Sequence, residues 1–350
     1  MDVNKIYNED CLEGMKRIPD ASIDCILTDP PYLYLKGQKL DRPFDEHALF
    51  TEFKRVLKPT GFVVLFGRGT SFYRWNTMLV ELGFVFKEEI IWDKGHNTSP
   101  LMRLSRVHET ISLHTMGGTI NKVKIPYIEM KQYDMGSVIQ DIKRLRSVFT
   151  QAKSMEAVKL FLEINCNDTS DRGGSIIRAD RADNEKFTKF GVNSDKRKTG
   201  DRCCNVMQSM EFGLNEKSII KVNRTGDDKT SKHGIITGKF KTVDRCCSVV
   251  QSMEFGLSEK SIIKCTRDHY TAIHPTQKPV RLLERLLALT THPGDIVLDP
   301  FMGSFSTAIA CVNTNRDFIG FEIDEDYYDV GMKRLNEAFC ESKLAITNNK

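Results

Sequence analysis

Hydrophobic and polar positions follow two different periods along the first 120 residues, and the changes of period predict alternating strands and helices. Apolar runs of buried-strand type are IDCILTD and FVVLFG, and further strands are predicted at KIYN, FKEEIIWDK and ETISLHTM. Apolar residues at helical spacing occur in CLEGMKRI, FDEHALFTEFKRVLKPTG and SFYRWNTMLVELG. Pro59 and Gly61 are expected to end the second of these helices. Strands that alternate with helices predict a parallel sheet covered by helices.

The same alternation returns near residue 272. PVRLLERLLALT predicts a helix with Pro279 in its first turn, and EDYYDVGMKRLNEAF predicts another helix. DIVLDPF and DFIGFEID predict buried strands, and SFSTAIACV predicts the start of a helix. We therefore expect one α/β domain in two parts, residues 1–119 and 271–350, interrupted by an insert at residues 120–270.

The insert differs from its flanks in charge and in repetition. Residues 121–270 hold 28 lysines and arginines against 20 acids, a balance of +8, whereas the rest of the chain has a balance of −4. The 21-residue segment at 201–221 recurs at 244–264 with 18 matching positions, which indicates a duplication. A basic segment in a nearly neutral chain favours a polyanionic partner, although a solvated polar insert has the same charge pattern.

Composition limits the class of protein. The chain has 350 residues, 40% of them hydrophobic and 28% charged, which is typical of a globular protein. No stretch approaches the roughly 20 apolar residues that a membrane span requires. The start of the chain, MDVNKIYNEDC, lacks the basic and apolar regions of a secretory signal, so we expect a cytoplasmic protein. The ten cysteines form no Cys-x-x-Cys pair, which favours reduced thiols over a metal site.

One predicted strand ends in residues suited to binding an aromatic amine. IDCILTD runs directly into Asp29, Pro30, Pro31 and Tyr32, and open α/β sheets bind ligands at the carboxyl ends of their strands. The Asp29 carboxylate and the Pro30 carbonyl are two acceptors for the two amine hydrogens, which favours a pyramidal nitrogen with a directed lone pair. Tyr32 is placed to stack on the base, and a base reaches such a pocket only after it turns out of the duplex. A rigid surface turn is the alternative.

A second group of strand ends has the residues of a nucleoside site. In LDPFMGSFST, residues 298–307, Gly303 permits close approach of the backbone to a ligand. Glu322 ends the next strand, 23 residues after Asp299, where an acid commonly holds ribose hydroxyls. The glycines lack the G-x-G-x-x-G spacing of a diphosphate-binding turn, so a nucleoside without a diphosphate is the expected ligand.

The order of these motifs resembles the beta class of S-adenosylmethionine-dependent amino DNA methyltransferases, in which the catalytic motif precedes a target-recognition region and the cofactor motif follows it. The resemblance covers about residues 1–118 and 271–340. It is carried by NEDCLEGMKRIPDASIDCILTDPPY, IIWDKGHNTSPLMRLSRVHETI, HPTQKPVRLLERL and LDPFMGSFSTA. It implies a Rossmann-like α/β methyltransferase fold with circularly permuted motif order, an inserted recognition region, and S-adenosyl-L-methionine as the cofactor.

The resemblance also implies a role for each motif. The residues expected to orient and stack the target base are Asp29, Pro30, Pro31 and Tyr32. The residues expected to bind the cofactor are Asp10, Cys11, Thr276, Lys278, Pro279, Asp299, Pro300, Phe301, Gly303, Ser304 and Glu322. Simpler roles stay open for three of these: Asp10 as a helix cap, Lys278 as a solvated lysine, and Glu322 as an exposed strand-end acid.

Phe305 departs from the family pattern because it stands where the pattern has its second glycine. Its ring either clashes with the methionine end of the cofactor or points into the core. The flanking residues match the pattern, so we expect the core.

The expected reaction transfers a methyl group from S-adenosylmethionine to adenine N6 of a flipped base in double-stranded DNA, since D-P-P-Y is commoner on adenine enzymes of the family and S-P-P-Y on cytosine enzymes. The alternatives are cytosine N4 methylation by the same residues, methylation of RNA or of a glutamine amide, and a DNA-binding decoy with an inactive cofactor site. The resemblance further allows a homodimer, a companion restriction nuclease and association with the nucleoid.

Overall fold

The computed structural model describes residues 2–32, 42–95, 107–148, 248–266 and 277–348. It divides the chain into two compact units, one of Met1–Val123 with Lys260–Lys350 and one of Lys124–Glu259. These divisions lie at 124 and 260, whereas the sequence analysis places the insert at 120–270. The first copy of the repeat, 201–221, lies outside the described residues, as does the beginning of the second.

Ten strands and nine helices are described. The strands are β1 (Lys5–Tyr7), β2 (Ile23–Thr28), β3 (Leu57–Gly67), β4 (Val85–Asp93), β5 (His108–Thr115), β6 (Lys124–Ile125), β7 (Leu257–Ser258), β8 (Ile262–Lys264), β9 (Ile296–Asp299) and β10 (Asp317–Phe321). The helices are α1 (Cys11–Met15), α2 (Glu46–Val56), α3 (Gly69–Glu81), α4 (Tyr127–Lys131), α5 (Met135–Val148), α6 (248–255), α7 (Val280–Thr290), α8 (Ser306–Asn313) and α9 (Glu325–Asn348).

The first unit is built on an eight-stranded sheet of order β1-β10-β9-β2-β3-β5-β4-β8. The pairs from β1 to β3 are all parallel, as is the pair of β4 with β8 at the far edge. The expectation of an entirely parallel sheet is wrong at β5, which is antiparallel to both β3 and β4. The residues described between β4 and β5 contain no crossover helix, and without a crossover the returning strand runs antiparallel.

Helix α2 ends earlier than Pro59 and Gly61 indicate. Leu57 caps it with extended backbone angles and donates its N–H to the Phe53 carbonyl. Lys58 precedes a proline, which disfavours the helical conformation there, so the chain enters β3 directly.

The two faces of the sheet pack against different helices. Strand β2 contributes to both faces: Cys25 and Leu27 pack in one apolar cluster and Ile26 in the other. Ile23 joins the cluster of Ile26 because the strand register shifts between Ile23 and Cys25. The first cluster includes residues of α7, α8 and α9, and the second includes residues of α1, α2 and α3. This arrangement leaves the carboxyl ends of β2, β9 and β10 uncovered by the helices that pack on the two faces of the sheet.

Strand β8 belongs to this sheet although the sequence analysis assigns its residues to the insert. Ile263 is buried beside Trp92 of β4, and the Trp92 indole N–H donates to the Cys265 carbonyl at 2.8 Å.

The second unit holds α4, α5, α6 and the antiparallel pair of β6 and β7. Leu145 of α5 packs with Val249 and Met253 of α6. The Tyr127 hydroxyl donates to the Asp141 carboxylate at 2.7 Å, which satisfies both buried polar groups. None of the helices in the described residues is long and apolar enough to cross a membrane.

Candidate active site

A cavity of about 510 Å³ lies at the carboxyl ends of β2, β9 and β10 in the first unit, within the size range of small-molecule sites. The predicted site residues that line it are Asp10, Cys11, Asp29, Pro30, Pro31, Tyr32, Lys278, Asp299, Pro300, Phe301, Gly303, Ser304 and Glu322. Pro279 does not line it and instead occupies the N-cap of α7. Thr276 lies outside the described residues.

Asp299 shapes the loop between β9 and α8. Its Oδ1 accepts the Phe301 N–H at 3.0 Å, and its Oδ2 accepts the Thr307 hydroxyl at 2.6 Å. Burial raises the pKa of Asp299 to about 7, and the nearby acids Asp29 and Glu322 add to the effect of burial. The carboxyl group therefore holds the glycine loop against the start of α8.

Glu322 lies at the end of β10 and is 9% exposed, which rules out an ordinary exposed acid. Its Oε2 accepts the Gly303 N–H at 2.8 Å, and its Oε1 accepts the Asp324 N–H at 2.9 Å. Burial raises the pKa of Glu322, whereas these two backbone bonds favour its ionised form. Each oxygen keeps a lone pair for a ligand hydroxyl.

Asp10 caps a helix and also lines the cavity, so the two roles weighed for it are compatible. Its Oδ1 accepts the Leu12 N–H at 2.8 Å at the start of α1. Burial raises the pKa of the neighbouring Cys11 to about 12, so Cys11 is a neutral thiol and is free of disulfide bonding.

Phe305 points into the core and does not line the cavity, as expected. It adopts the left-handed conformation, with φ +61°, at the N-cap of α8. Its ring is fully buried and meets the Tyr328 ring edge-on at 5.9 Å. Gly331 of α9 makes room for it, because a Cβ at that position would lie 2.6 Å from the ring. Phe305 thus has a backbone conformation that is typical of glycine, and its side chain packs in the core away from the cavity.

The Asp29 carboxylate is held from both sides at the end of β2. One oxygen accepts the Tyr32 hydroxyl, and the other accepts the Lys278 ammonium. The Tyr32 carbonyl accepts the Ser71 hydroxyl at 2.9 Å, and the Tyr32 ring tilts against Trp75 at 6.0 Å. These contacts fix the Asp-Pro-Pro-Tyr segment by its side chains and its backbone.

Lys278 contacts the proposed catalytic carboxylate, although the family resemblance implies a cofactor contact for it. Its Nζ also lies 3.3 Å from Glu109, and Glu109 lies 3.2 Å from Lys94. Burial alone would raise the pKa of Glu109, but the charges of Lys278 and Lys94, with their hydrogen bonds, lower it to about 2. Glu109 and Lys94 line the cavity but were not among the site residues predicted from the sequence. The sequence does mark Glu109 as unusual, because it places a charged residue on the same strand face as the buried Ile111 and Leu113.

Arg42, Phe44 and Asp324 are among the other lining residues that the sequence did not predict. Arg42 donates to Asp324 at 3.2 Å, and Phe44 packs against Phe301 with ring centroids 5.3 Å apart. Arg42 and Phe44 follow the Asp-Pro-Pro-Tyr segment, whereas Asp324 follows β10, so only the fold brings them to one cavity.

Comparison with known proteins gives a consistent family. A family model described as DNA methylase matches residues 23–333. The chain is 25% identical to the type II methyltransferase M.BglII of Bacillus subtilis over 95% of this chain and 69% of that protein. It is 23% identical to the type II methyltransferase M.HinfI of Haemophilus influenzae over 96% of this chain and 69% of that protein. A 65-residue segment, 19% of this chain and 22% of the relative, is 51% identical to the DNA adenine methyltransferase YhdJ of Escherichia coli strain K12.

Solved structures of low identity also align with the chain. The M1.HpyAVI–SAM complex is 19% identical, with a TM-score of 0.45, over 95% of this chain and 99% of that chain. The PvuII DNA methyltransferase, described as cytosine-N4-specific, is 13% identical, with a TM-score of 0.47, over 98% of this chain and 93% of that chain.

The fold is a mostly parallel α/β sheet in which the ends of three parallel strands line the cavity. The chain belongs to the DNA methylase family, whose model matches most of its length. The cofactor of this family is S-adenosylmethionine, and the cavity fits it: the buried Glu322 carboxylate offers acceptors for ribose hydroxyls, and the loop at Gly303 comes close to that carboxylate.

Proposed function

We propose that this DNA methyltransferase methylates adenine N6 in double-stranded DNA, after the base has turned out of the duplex. The observation that carries the proposal is the position of Asp29, Pro30, Pro31 and Tyr32. They line the same cavity as Glu322, at the carboxyl ends of β2 and β10, which flank β9 in the sheet, so a target amine and a methyl donor can meet there.

The catalytic motif acts on the amine by hydrogen bonding. The Asp29 carboxylate and the Pro30 carbonyl each accept one N–H of the target, which draws the nitrogen out of conjugation and aims its lone pair. Proline has no N–H to compete for these acceptors, and its fixed φ keeps the carbonyl in place. Tyr32 supports the base face while its hydroxyl orients Asp29. The proton lost from the amine passes to Asp29 or to water.

When bound, the cofactor would supply the electrophile, a methyl carbon on a positively charged sulfur: its bond to sulfur would break as the bond to the amine nitrogen forms, and the sulfur would leave as a neutral thioether. We assign its binding to Glu322 at the ribose, to Asp10 and Cys11 near the adenine, and to the Asp299–Ser304 loop. Thr276 and Pro279 belong to this proposed set through the family pattern alone.

Two observations favour adenine over cytosine. The motif is D-P-P-Y, and the 65-residue match is to a protein named as an adenine methyltransferase. Cytosine N4 methylation stays the second candidate, because the same pair of acceptors fits its amine. The decoy alternative loses its one supporting feature, since Phe305 lies in the core.

The proposed DNA contacts include the basic insert, whose balance of +8 suits a phosphate backbone. We propose beta-class motif order for the chain, with a companion restriction nuclease and a homodimer as further partners. The type II names of M.BglII and M.HinfI support a role in restriction and modification.

Transfer of labelled methyl from S-adenosylmethionine to unmethylated duplex DNA, followed by nucleoside analysis, tests the target. N6-methyladenine is the expected product. N4-methylcytosine would overturn the assignment of the base and keep the mechanism, whereas label in RNA or protein alone would overturn DNA as the substrate.

A further inference from the structure

Four charged side chains of alternating sign lead from the proposed catalytic carboxylate into the first unit. Asp29 pairs with Lys278, Lys278 with Glu109, and Glu109 with Lys94. They come from four separate places in the chain: the end of β2, the approach to α7, strand β5 and the end of β4. The side chains of Lys278 and Glu109 are only 10% and 14% exposed, so water screens the charges weakly.

Burial makes this chain of charges rigid. A buried ion that loses its partner is strongly unfavourable, so the Lys278 ammonium stays with its two carboxylates. It also lies over the Phe66 ring, 5.0 Å from the centroid. Glu109 remains ionised far below neutral pH, since the two lysines lower its pKa to about 2 against the opposing effect of burial. Glu109 therefore places a negative charge beside Lys278 at neutral pH and well below it.

We infer that Lys278 is a positioning residue for methyl transfer, which fixes the Asp29 carboxylate toward the target amine, while Glu109 and Lys94 fix Lys278. This role rests on the proposed function. Tyr32 holds one carboxylate oxygen and Lys278 the other, so the plane of the carboxylate is set before a base arrives. Each oxygen has two lone pairs and can accept a substrate N–H in addition. Orientation set in advance is worth a large part of a catalytic rate.

Lys278→Met tests the role, because methionine keeps much of the apolar stem beside Phe66 and removes the ammonium. We expect the methyl-transfer rate at saturating DNA and cofactor to fall by about 10²-fold, the loss associated with misplacement of a reacting group. The half-saturating DNA concentration and the dissociation constant of S-adenosylmethionine should stay near those of the parent. A weaker cofactor constant with an unchanged rate would overturn the inference and return Lys278 to cofactor binding.

Action through Asp29 is tested by repeating the substitution in an Asp29→Asn background. If Lys278 works by orienting that carboxylate, Lys278→Met should lower the residual rate far less there. Equal falls in both backgrounds would overturn the inference. Glu109→Gln keeps the Lys278–Asp29 pair and should give a smaller fall in the same methyl-transfer rate. This variant tests the inference if Lys278→Met does not fold. An unchanged rate in Glu109→Gln would remove Glu109 from the positioning role.

Lys16→Met is the matched control, since Lys16 is exposed and pairs only with Glu13 on α1 in the described structure. It should retain the rate of the parent. A parent protein that methylates no DNA would overturn the proposed function and this inference together. An active parent whose rate Lys278→Met leaves unchanged would overturn the inference alone.

Discussion

Replacement of Phe305 by glycine or by alanine separates two opposing contributions at one position. The ring is fully buried against Tyr328 and Gly331, so its removal leaves a cavity in the core. The backbone at Phe305 has φ +61°, a conformation that glycine adopts freely and alanine does not. The two variants lose the same ring but differ in the strain that remains.

The magnitudes follow from this geometry. Loss of a buried phenylalanine ring costs about 3–5 kcal/mol of unfolding free energy. The left-handed conformation lowers the unfolding free energy by about 1–2 kcal/mol for a residue that has a Cβ. This strain remains in Phe305→Ala and is absent from Phe305→Gly. We therefore expect Phe305→Gly to be about 1 kcal/mol more stable than Phe305→Ala, with both below the parent. In ordinary helix or strand the order is reversed, since glycine there is about 0.5–1 kcal/mol worse than alanine.

Urea unfolding followed by circular dichroism measures the difference. Phe318 of β10 provides the control, because it is fully buried on a strand with an ordinary backbone. There the glycine variant should be the less stable of the pair. A Phe305→Ala variant at least as stable as Phe305→Gly would refute the claim of stored strain. S-adenosylmethionine should bind all Phe305 variants as it binds the parent, and a large change in that constant would place the ring at the ligand site.

Three further expectations concern the core, the cofactor loop and the insert. Gly331→Ala should destabilise the protein by about 1–3 kcal/mol through overpacking against the Phe305 ring, and Phe305→Gly should remove that penalty, as a double-mutant cycle in urea would show. Burial raises the pKa of Asp299 from 3.8 to about 7, so the folded state holds a proton that the unfolded chain releases, and the stability contributed by this group is lost as pH rises through that window. Asp299→Asn should therefore gain stability relative to the parent as pH rises from about 4 to about 7, by at most about 4 kcal/mol at about 1.4 kcal/mol per pKa unit, and a pH-independent difference would contradict the buried acid. Deletion of residues 201–243, one length of the repeat, should weaken DNA binding and flatten its salt dependence in a fluorescence titration, and unchanged affinity and target choice would remove the insert from DNA contact.

The pattern of the sequence was sufficient for most of the elements and for the two groups of strand ends. The continuous apolar runs IDCILTD and DIVLDPF predict buried strands, and both segments form strands in the structure. The orientation of β5 was not predictable from the residues of the strand itself, because orientation depends on the connection that leads into the strand. The end of α2 was misplaced because Pro59 and Gly61 indicate a stop without locating it.

The least predictable feature of the site was the pairing of charges. Lys278 lies 249 residues from Asp29, and its local surroundings in the sequence are those of a helix start beside a proline. Glu109 shows only as a charge on an apolar strand face, and that signal does not identify its partner. These pairs form because the fold brings the segment before α7 to the ends of β2 and β4 and to strand β5, so they follow from the tertiary structure and from no local motif.

The central claim is that Asp29 orients the target amine for methyl transfer. Single-turnover transfer by Asp29→Ala, at saturating cofactor and duplex DNA, tests it most directly, with Asp2→Ala as the control at an exposed aspartate. We predict a fall of about 10²-fold or more for Asp29→Ala, as expected when a group that stabilises a transition state is removed, with cofactor affinity retained. Transfer by Asp29→Ala at the rate of the parent would contradict the account.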